Sequence, residues 1–294
     1  TAIILALAGA VTAGQAAAQD AFDLDAITIS ANRTATALAR AGASVSLVTE
    51  EELEAAGDAT VASYLARLPG LSLATEGPFG NSASLRIRGA DGRYVAVYID
   101  GIRVSDPSST ETKFDFGSQL TADVGRIEVL RGSQSSLYGG SAGGGVINIS
   151  TRAATGEGTR QTLAGEVGSY STAGLSYGLT QKTGPLELTL GLAHRRTDGF
   201  SAFHGGTETD GAEATRLSFG ARYAVSDALT VGGNIFTQRS RFEYDGYDAF
   251  FTFGDEDNSQ TRQETGARVF AEVQAGATAH VFDVTAYDVS RDLN

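Results

Sequence analysis

Leu186-Glu-Leu-Thr-Leu-Gly-Leu-Ala193 alternates with a period of two, four leucines on one face against Glu187, Thr189, Gly191 and Ala193 on the other. That period is the signature of a β-strand. The pattern recurs. Leu217, Phe219, Ala221, Tyr223 and Val225 alternate with Arg216, Ser218, Gly220, Arg222 and Ala224, and Ala267, Val269, Ala271 and Val273 oppose Arg268 and Glu272. A face that repeatedly carries charge and glycine is not the inside of a soluble sandwich; it suits a barrel with lipid outside and a polar lumen. A membrane strand takes about 9–11 residues, and the spacing predicts seven such segments, near 160–168, 172–182, 185–197, 213–225, 228–243, 261–275 and 278–291. Short turns near Thr183-Gly184, Ser226-Asp227 and Ala275-Gly276 alternate with long connections near 198–212 and 245–260. Short turns on one side and long loops on the other is the outer-membrane pattern. Seven strands leave a sheet open, and unpaired backbone in lipid costs several kcal/mol per group. The expectation is the N-terminal part of a longer barrel.

Composition narrows the rest. The 294 residues contain no Cys, which excludes a disulfide framework, a thiolate metal site and a cysteine nucleophile. The net charge is −13, with 11 basic against 19 acidic residues in 153–294, so nucleic acid is not an expected partner. Ala2-Ile-Ile-Leu-Ala-Leu-Ala-Gly-Ala-Val11 followed by Ala16-Ala-Ala18 reads as the h-region and cleavage site of an export signal, cut short at its start, over 1–18. No later apolar run is as long, so a spanning α-helix is not expected. Residues 19–32 form an acidic lead-in around Ile27-Thr28-Ile29, a lone strand or a tail able to add itself to a partner's sheet edge.

Residues 33–152 read as a compact α+β domain. Val45–Thr49 is a short strand, and Thr49 with Glu52 forms a capping box that opens a helix with Glu50, Glu51 and Glu52 in its first turn. A second helix near Thr60–Leu68 stops at Pro69-Gly70. Strands are expected at 84–88, 94–99, 127–130 and 146–150, with turn-rich loops at 75–82 and 105–118. Loops on a rigid scaffold are natural ligand-contact positions.

Four phrases of this domain carry a family resemblance: Leu85-Arg-Ile-Arg-Gly89, Val97-Tyr-Ile-Asp-Gly101, Arg126-Ile-Glu-Val-Leu-Arg-Gly132, and Leu137-Tyr-Gly followed by Ala142-Gly-Gly-Gly-Val-Ile-Asn-Ile149. In order, behind an export signal and ahead of an alternating barrel, they resemble the plug of TonB-dependent outer-membrane receptors. Within that family, Thr197-Asp-Gly-Phe-Ser201 and Tyr244-Asp-Gly-Tyr-Asp248 are similar to the vitamin B12 receptors. The resemblance implies an α+β plug domain followed by part of a transmembrane antiparallel β-barrel, 153–294, of about 22 strands when complete. It implies a monomer in the outer membrane that binds cobalamin, or another metal chelate, above the plug. TonB, with its inner-membrane energising complex, would then drive import. A ferric siderophore or haem receptor of the same family is the nearest alternative, and a passive porin or adhesin barrel is the alternative of another class.

The resemblance also assigns residues. Asp25, Ala26, Ile27, Thr28, Ile29 and Ser30 are similar to a TonB box. Arg88 and Arg131 match plug arginines that pair with acids of the barrel wall, or serve in ordinary structural pairing. Gly80, Asn81 and Ser82 in the first loop, and Ser105, Asp106 and Ser109 in the second, are the expected ligand contacts. Asp198, Glu208, Asp210, Asp245 and Asp248 cluster in two loops and could hold calcium, which takes six to eight oxygen ligands, or be plain solvated acids. No other cofactor is expected. Gly139-Gly-Ser-Ala-Gly143 matches G-x-S-x-G, but a strand follows where a hydrolase elbow needs a helix, so no enzyme is expected.

Overall fold

The computed structural model describes residues 27–28, 36–37, 44–106, 111–201, 203, 206, 209–247, 253–276 and 278–294. Two short strands, β1 (Ile27–Thr28) and β2 (Thr36–Ala37), pair antiparallel. Next comes an inner α+β domain. Its five-stranded sheet contains β3 (Ser44–Thr49), β6 (Val95–Ile99), β7 (Ile102–Val104), β8 (Val124–Arg131) and β9 (Gly145–Thr151), in the spatial order β3-β8-β9-β6-β7. Only β6 and β9 are parallel neighbours. They are near-continuous runs of buried Val, Ile and Ala, as central strands covered on both faces must be. A hairpin of β4 (Leu71–Thr75) and β5 (Ala83–Ile87) lies apart.

Local chemistry sets the helices. In α1 (Glu50–Ala56) the Glu52 N–H donates to Thr49 Oγ1 at 3.3 Å and the Thr49 N–H to Glu52 Oε2 at 2.8 Å, the reciprocal capping box. Gly57, left-handed at φ 67°, closes it. In α2 (Val61–Leu65) the Thr60 hydroxyl accepts from the Ser63 N–H, and Val61, Ala62 and Leu65 face the core. A one-turn α3 (Ser135–Tyr138) follows β8.

The second unit is an antiparallel meander of seven strands in sequence order: β10 (Gly158–Val167), β11 (Ala173–Thr183), β12 (Leu186–Thr197), β13 (Ala212–Ser226), β14 (Leu229–Tyr247), β15 (Phe253–Ala275) and β16 (Thr278–Leu293). All seven expected strands are present. The expected long connection at 245–260 is not: β14 and β15 extend until Tyr247 pairs with Phe253, leaving 248–252 between them. Backbone pairing between two adjacent strands outweighs the low β-propensity of the acidic residues there.

Burial fixes which face is which. Along β13, Ala212, Ala214, Arg216, Ser218 and Gly220 are buried against the inner domain, while Leu217, Phe219, Tyr223 and Val225 are exposed. Register carries the exposed apolar set across the wall: Leu190, Phe219, Ile235 and Ala267 form one row, and Leu186, Tyr223, Val231, Ala271 and Phe282 another. From Leu217 to Val225 the belt covers about 27 Å along the strand. Allowing for strand tilt, that matches an outward apolar band of about 25 Å. Apolar out and polar in reverses the soluble rule, and only a lipid exterior makes it favourable. Among the described residues no helix is long and apolar enough to cross a membrane.

Candidate functional site

The inner domain's two turn-rich loops lie against the upper half of the wall, the end away from the short turns. Gly80 adopts φ +95°, and a Cβ there would sit 2.7 Å from Ala212 Cβ and 2.9 Å from Phe242 Cβ. Glycine is therefore what lets the first loop touch β13 and β14. Asn81, 4% exposed, donates from Nδ2 to the Glu243 carbonyl at 3.4 Å. Gly117 approaches so closely that a Cβ would lie 1.9 Å from the Asn81 carbonyl oxygen, and this packs the second loop on the first. Asp115 ties the assembly together. Its Oδ1 accepts from the N–H groups of Ala83 and Gly117, and its Oδ2 meets Arg262 of β15 at 3.2 Å.

Below these loops the contact continues as buried polar pairs. Asp123 Oδ2 accepts from Arg216 Nε at 2.6 Å, with the two side chains 4% and 1% exposed. The Arg216 guanidinium also lies 4.7 Å from the centre of the Phe236 ring. Gln238 donates to both the carbonyl and the hydroxyl of Ser118. Arg268 donates to the Asp100 carbonyl at 3.2 Å, and Arg291 pairs with Asp106. Apolar contact is limited: Phe236 and Tyr287 pack on the inner core, and Leu120 packs among Ala193 and Ala214. At the opposite end Arg152, just after β9, holds Glu50 and Glu54 of α1, and Arg160 of β10 holds Glu50 as well.

The ion pairs thus run from wall arginines to inner-domain carboxylates. Arg131 donates to the Pro69 carbonyl and the Ser46 hydroxyl, and among the described residues neither Arg131 nor Arg88 forms an ion pair with β10–β16. Burial, and then the neighbouring Arg88 charge, lowers the Arg131 pKa. The sequence reading missed Arg216, Arg262 and Arg291; their signal was parity, since each falls on the inward-facing set of its strand. Asp100, in the tight turn between β6 and β7, is left-handed at φ 50° and accepts from the Thr151 N–H and hydroxyl. Burial pushes its carboxyl above the ordinary value against those hydrogen bonds.

The other expected residues divide. Gly80, Asn81 and Asp106 are buried against the wall and anchor the loops to it, whereas Ser82 and Ser105 are half-buried. Ser109, Glu208 and Asp248 lie outside the described residues, as do Asp25, Ala26, Ile29 and Ser30 of the lead-in. Ile27 and Thr28 form β1. Asp198 is exposed, and Asp210 and Asp245 are buried. Both carboxylate oxygens of Asp245 lack a hydrogen-bond partner among the described residues. Among those residues no three acidic or histidine side chains gather as a cation cage. Ser141 accepts from Arg103 at 2.6 Å, an ordinary structural contact.

Comparison with known proteins agrees with this architecture. A family model described as TonB-dependent Receptor Plug Domain matches residues 37–146. The vitamin B12 transporter BtuB of Photobacterium profundum is 33% identical over 204 residues, 69% of this chain and 33% of that protein. The Vibrio cholerae vitamin B12 transporter BtuB is 35% identical over 136 residues, 46% of this chain and 22% of that protein. Among solved structures, the ferric yersiniabactin uptake receptor FyuA of Yersinia pestis superposes with a TM-score of 0.68 at 22% identity, over 85% of this chain and 41% of its own. The siderophore receptor PiuA of Acinetobacter baumannii gives 0.69 at 16% identity, over 88% and 38%. The chain belongs to the TonB-dependent receptors: an α+β plug followed by seven strands of the barrel that surrounds it. It spans a third or less of the length of these curated relatives.

Proposed function

We propose that the protein containing this chain is an outer-membrane receptor that binds a scarce nutrient outside the cell and passes it inward, with cobalamin as the ligand. The observation that carries the reading is a plug anchored, through Gly80, Asn81, Asp115 and Asp123, to a wall whose outward face is apolar. A pore that only leaks needs no such plug. Cobalamin is favoured over a ferric chelate because the 33%-identical relative is a vitamin B12 transporter, whereas the siderophore receptors at 16–22% identity speak to fold alone.

In this reading a ligand seated on the plug's upper loops is sensed at the wall contacts, and TonB pulls from the opposite end. The edge of β1 is the point of engagement. Strand addition uses main-chain hydrogen bonds, so proline there removes a donor and fixes φ. Calcium belongs to the proposal as a stabiliser of the outer loops. Asp245 is a buried carboxylate without a hydrogen bond among the described residues, a costly state that a bound cation relieves.

The test uses the full-length receptor in outer membranes, titrated with labelled cobalamin with and without a calcium chelator. Submicromolar binding that weakens on chelation supports ligand and ion together. Absence of cobalamin binding, with saturable binding of a ferric siderophore, moves the ligand to the alternative. Energised uptake unaffected by Ile27→Pro overturns the TonB reading.

A further inference from the structure

Two of the carboxylate–arginine contacts between plug and wall differ in what remains when they part. At Asp123 the second oxygen, Oδ1, is buried with no hydrogen-bond partner among the described residues. The wall offers Arg216 the amide oxygen of Gln238 at 3.5 Å and the face of Phe236, but no carboxylate among the described residues. Parting that pair leaves each charge short of a partner. The contact of Asp115 with Arg262 is built otherwise. Asp115 Oδ1 keeps the N–H groups of Ala83 and Gly117, which belong to the plug and travel with it. Arg262 divides its fork: Nη1 meets Asp115 Oδ2 at 3.2 Å, and Nη2 donates to Glu264 Oε1.

Glu264 belongs to the wall. It follows Arg262 by two positions on β15 and so points to the same, plug-facing side. It is buried, 4% exposed. A second strand fixes its carboxylate: Tyr287 of β16 donates its hydroxyl to Glu264 Oε1 at 2.8 Å. One cation between two carboxylates is an uneconomical way to grip a plug. Glu264 competes with Asp115 for the guanidinium and repels it, and both effects weaken the closed contact. The second carboxylate serves the open state, in which Arg262 has lost Asp115 and still has an ion partner on its own strand.

We propose that Glu264 is the stand-by counter-ion of Arg262: it takes the whole guanidinium when Asp115 leaves, so that this contact parts and re-forms at low cost. Tyr287 holds the carboxylate in place for the exchange. The proposal rests on the import reading above for the motion it serves, and not on which nutrient is carried. Glu264 is thus a positioning residue that acts on the plug through Arg262. No proton moves; the arginine exchanges a shared carboxylate for a sole one, and the planar fork suits either. The plug is then held firmly at Asp123 and releasably at Asp115, which lies in the second of its two upper loops.

The test is thiol labelling of Ala214→Cys in the full-length receptor, without ligand or TonB, in the regime where closing outpaces reaction. Ala214 packs with Leu120 of the plug and shares a register row with Arg262, Ser240 standing between them. On that parent, Glu264→Gln keeps an acceptor for Tyr287 and removes the charge. Labelling should slow about tenfold, the scale of one charge-assisted hydrogen bond, because opening now leaves Arg262 without a counter-ion. A residue that only supported the wall would speed labelling when altered. Asp115→Asn should speed labelling about threefold on the parent, where Glu264 still holds the arginine, and about thirtyfold on Glu264→Gln, where neither carboxylate is left. Tyr287→Phe keeps every charge and removes the hydroxyl that fixes Glu264; it should slow labelling too, and it decides the matter if Glu264→Gln does not assemble. Labelling of either wall variant at or above the parent's rate, or an Asp115→Asn effect of equal size on both backgrounds, would overturn the proposal. Nutrient uptake is read separately. Failure of uptake leaves the labelling result standing, and failure of the labelling prediction leaves the import reading standing.

Discussion

The Asp123–Arg216 pair should decide how firmly the plug is held. Both groups are almost fully buried and 2.6 Å apart, one on the plug and one on the wall. Asp123→Ala leaves the Arg216 guanidinium in place with Gln238 Oε1 at 3.5 Å and the face of Phe236 as its remaining partners. Removing one member of a buried pair costs about 3–5 kcal/mol, chiefly through the uncompensated charge that is left. Replacing both by apolar groups is about neutral. The double variant Asp123→Ala with Arg216→Met should therefore recover most of what the single variant loses. The chain has no cysteine, so Ala214→Cys creates the one thiol of residues 1–294, where β13 is sealed against Leu120 of the plug; any cysteine elsewhere in the full-length receptor is replaced by serine beforehand. Its labelling by a thiol reagent, in the regime where closing outpaces reaction, reports the free energy of plug opening. A loss of 3–5 kcal/mol should raise that rate about a hundredfold to a few thousandfold. Labelling of Asp123→Ala within about threefold of its parent, or no recovery in the double variant, would refute the assignment of this pair as the latch.

Three further outcomes follow from the same coordinates. Asp100→Asn should stabilise the plug at neutral pH, since Asn accepts the left-handed φ and carries no buried charge. The Asp100 carboxyl is raised in the folded state, so its unfavourable contribution exists above the unfolded value near 3.8 and vanishes below it; the advantage in opening rate should close as pH falls through about 4. Gly80→Ala places a methyl 2.7 Å from Ala212 Cβ at a positive φ. Overpacking of about 1–3 kcal/mol should raise Ala214→Cys labelling about tenfold or more and weaken ligand binding. Phe219→Arg puts a charge in the middle of the outward belt at about 2–4 kcal/mol, so the amount of receptor assembled in outer membranes should drop; an unchanged amount would mean that face does not meet lipid.

What was readable in the chain was whatever is local or periodic. The capping box of Thr49 and Glu52 needs four residues, and the alternation at Leu186–Ala193 needs eight; both are found in the structure. What escaped depends on a distant partner. Leu71–Thr75 has little strand character of its own and becomes β4 because Ala83–Ile87 pairs with it. The outer arms of β14 and β15 are acidic and glycine-containing, and they are strands because each is the other's partner. The residues expected to touch ligand had a similar fate. A turn-rich loop announces itself, but whether Gly80 or Asp106 faces the solvent or a wall depends on strands more than a hundred residues away.

The character of the plug–wall contact bears on how such a plug can move. Had it been a continuous apolar seam, opening would expose greasy surface to the lumen, at about 25 cal/mol for every Å². Instead most contacts are polar: Arg262 with Asp115, Gln238 with Ser118, Asn81 with Glu243, Arg268 with Asp100. Each is a group that water can satisfy when the contact parts, so a neutral contact adds about 0.5–1.5 kcal/mol to the hold and one to a charged group about 1.5–3 kcal/mol. The placement of charge is consistent with this. The wall keeps arginines, whose long stems let the charged head find water along the lumen once the partner leaves, and the plug carries short carboxylates that become hydrated as they move. A seam built this way is specific in register, through many directional contacts, while none of its ordinary members is strong. The pair most deeply buried on both sides is Asp123 with Arg216. It is the contact that opening has most to overcome, and therefore the one whose loss should loosen the plug most.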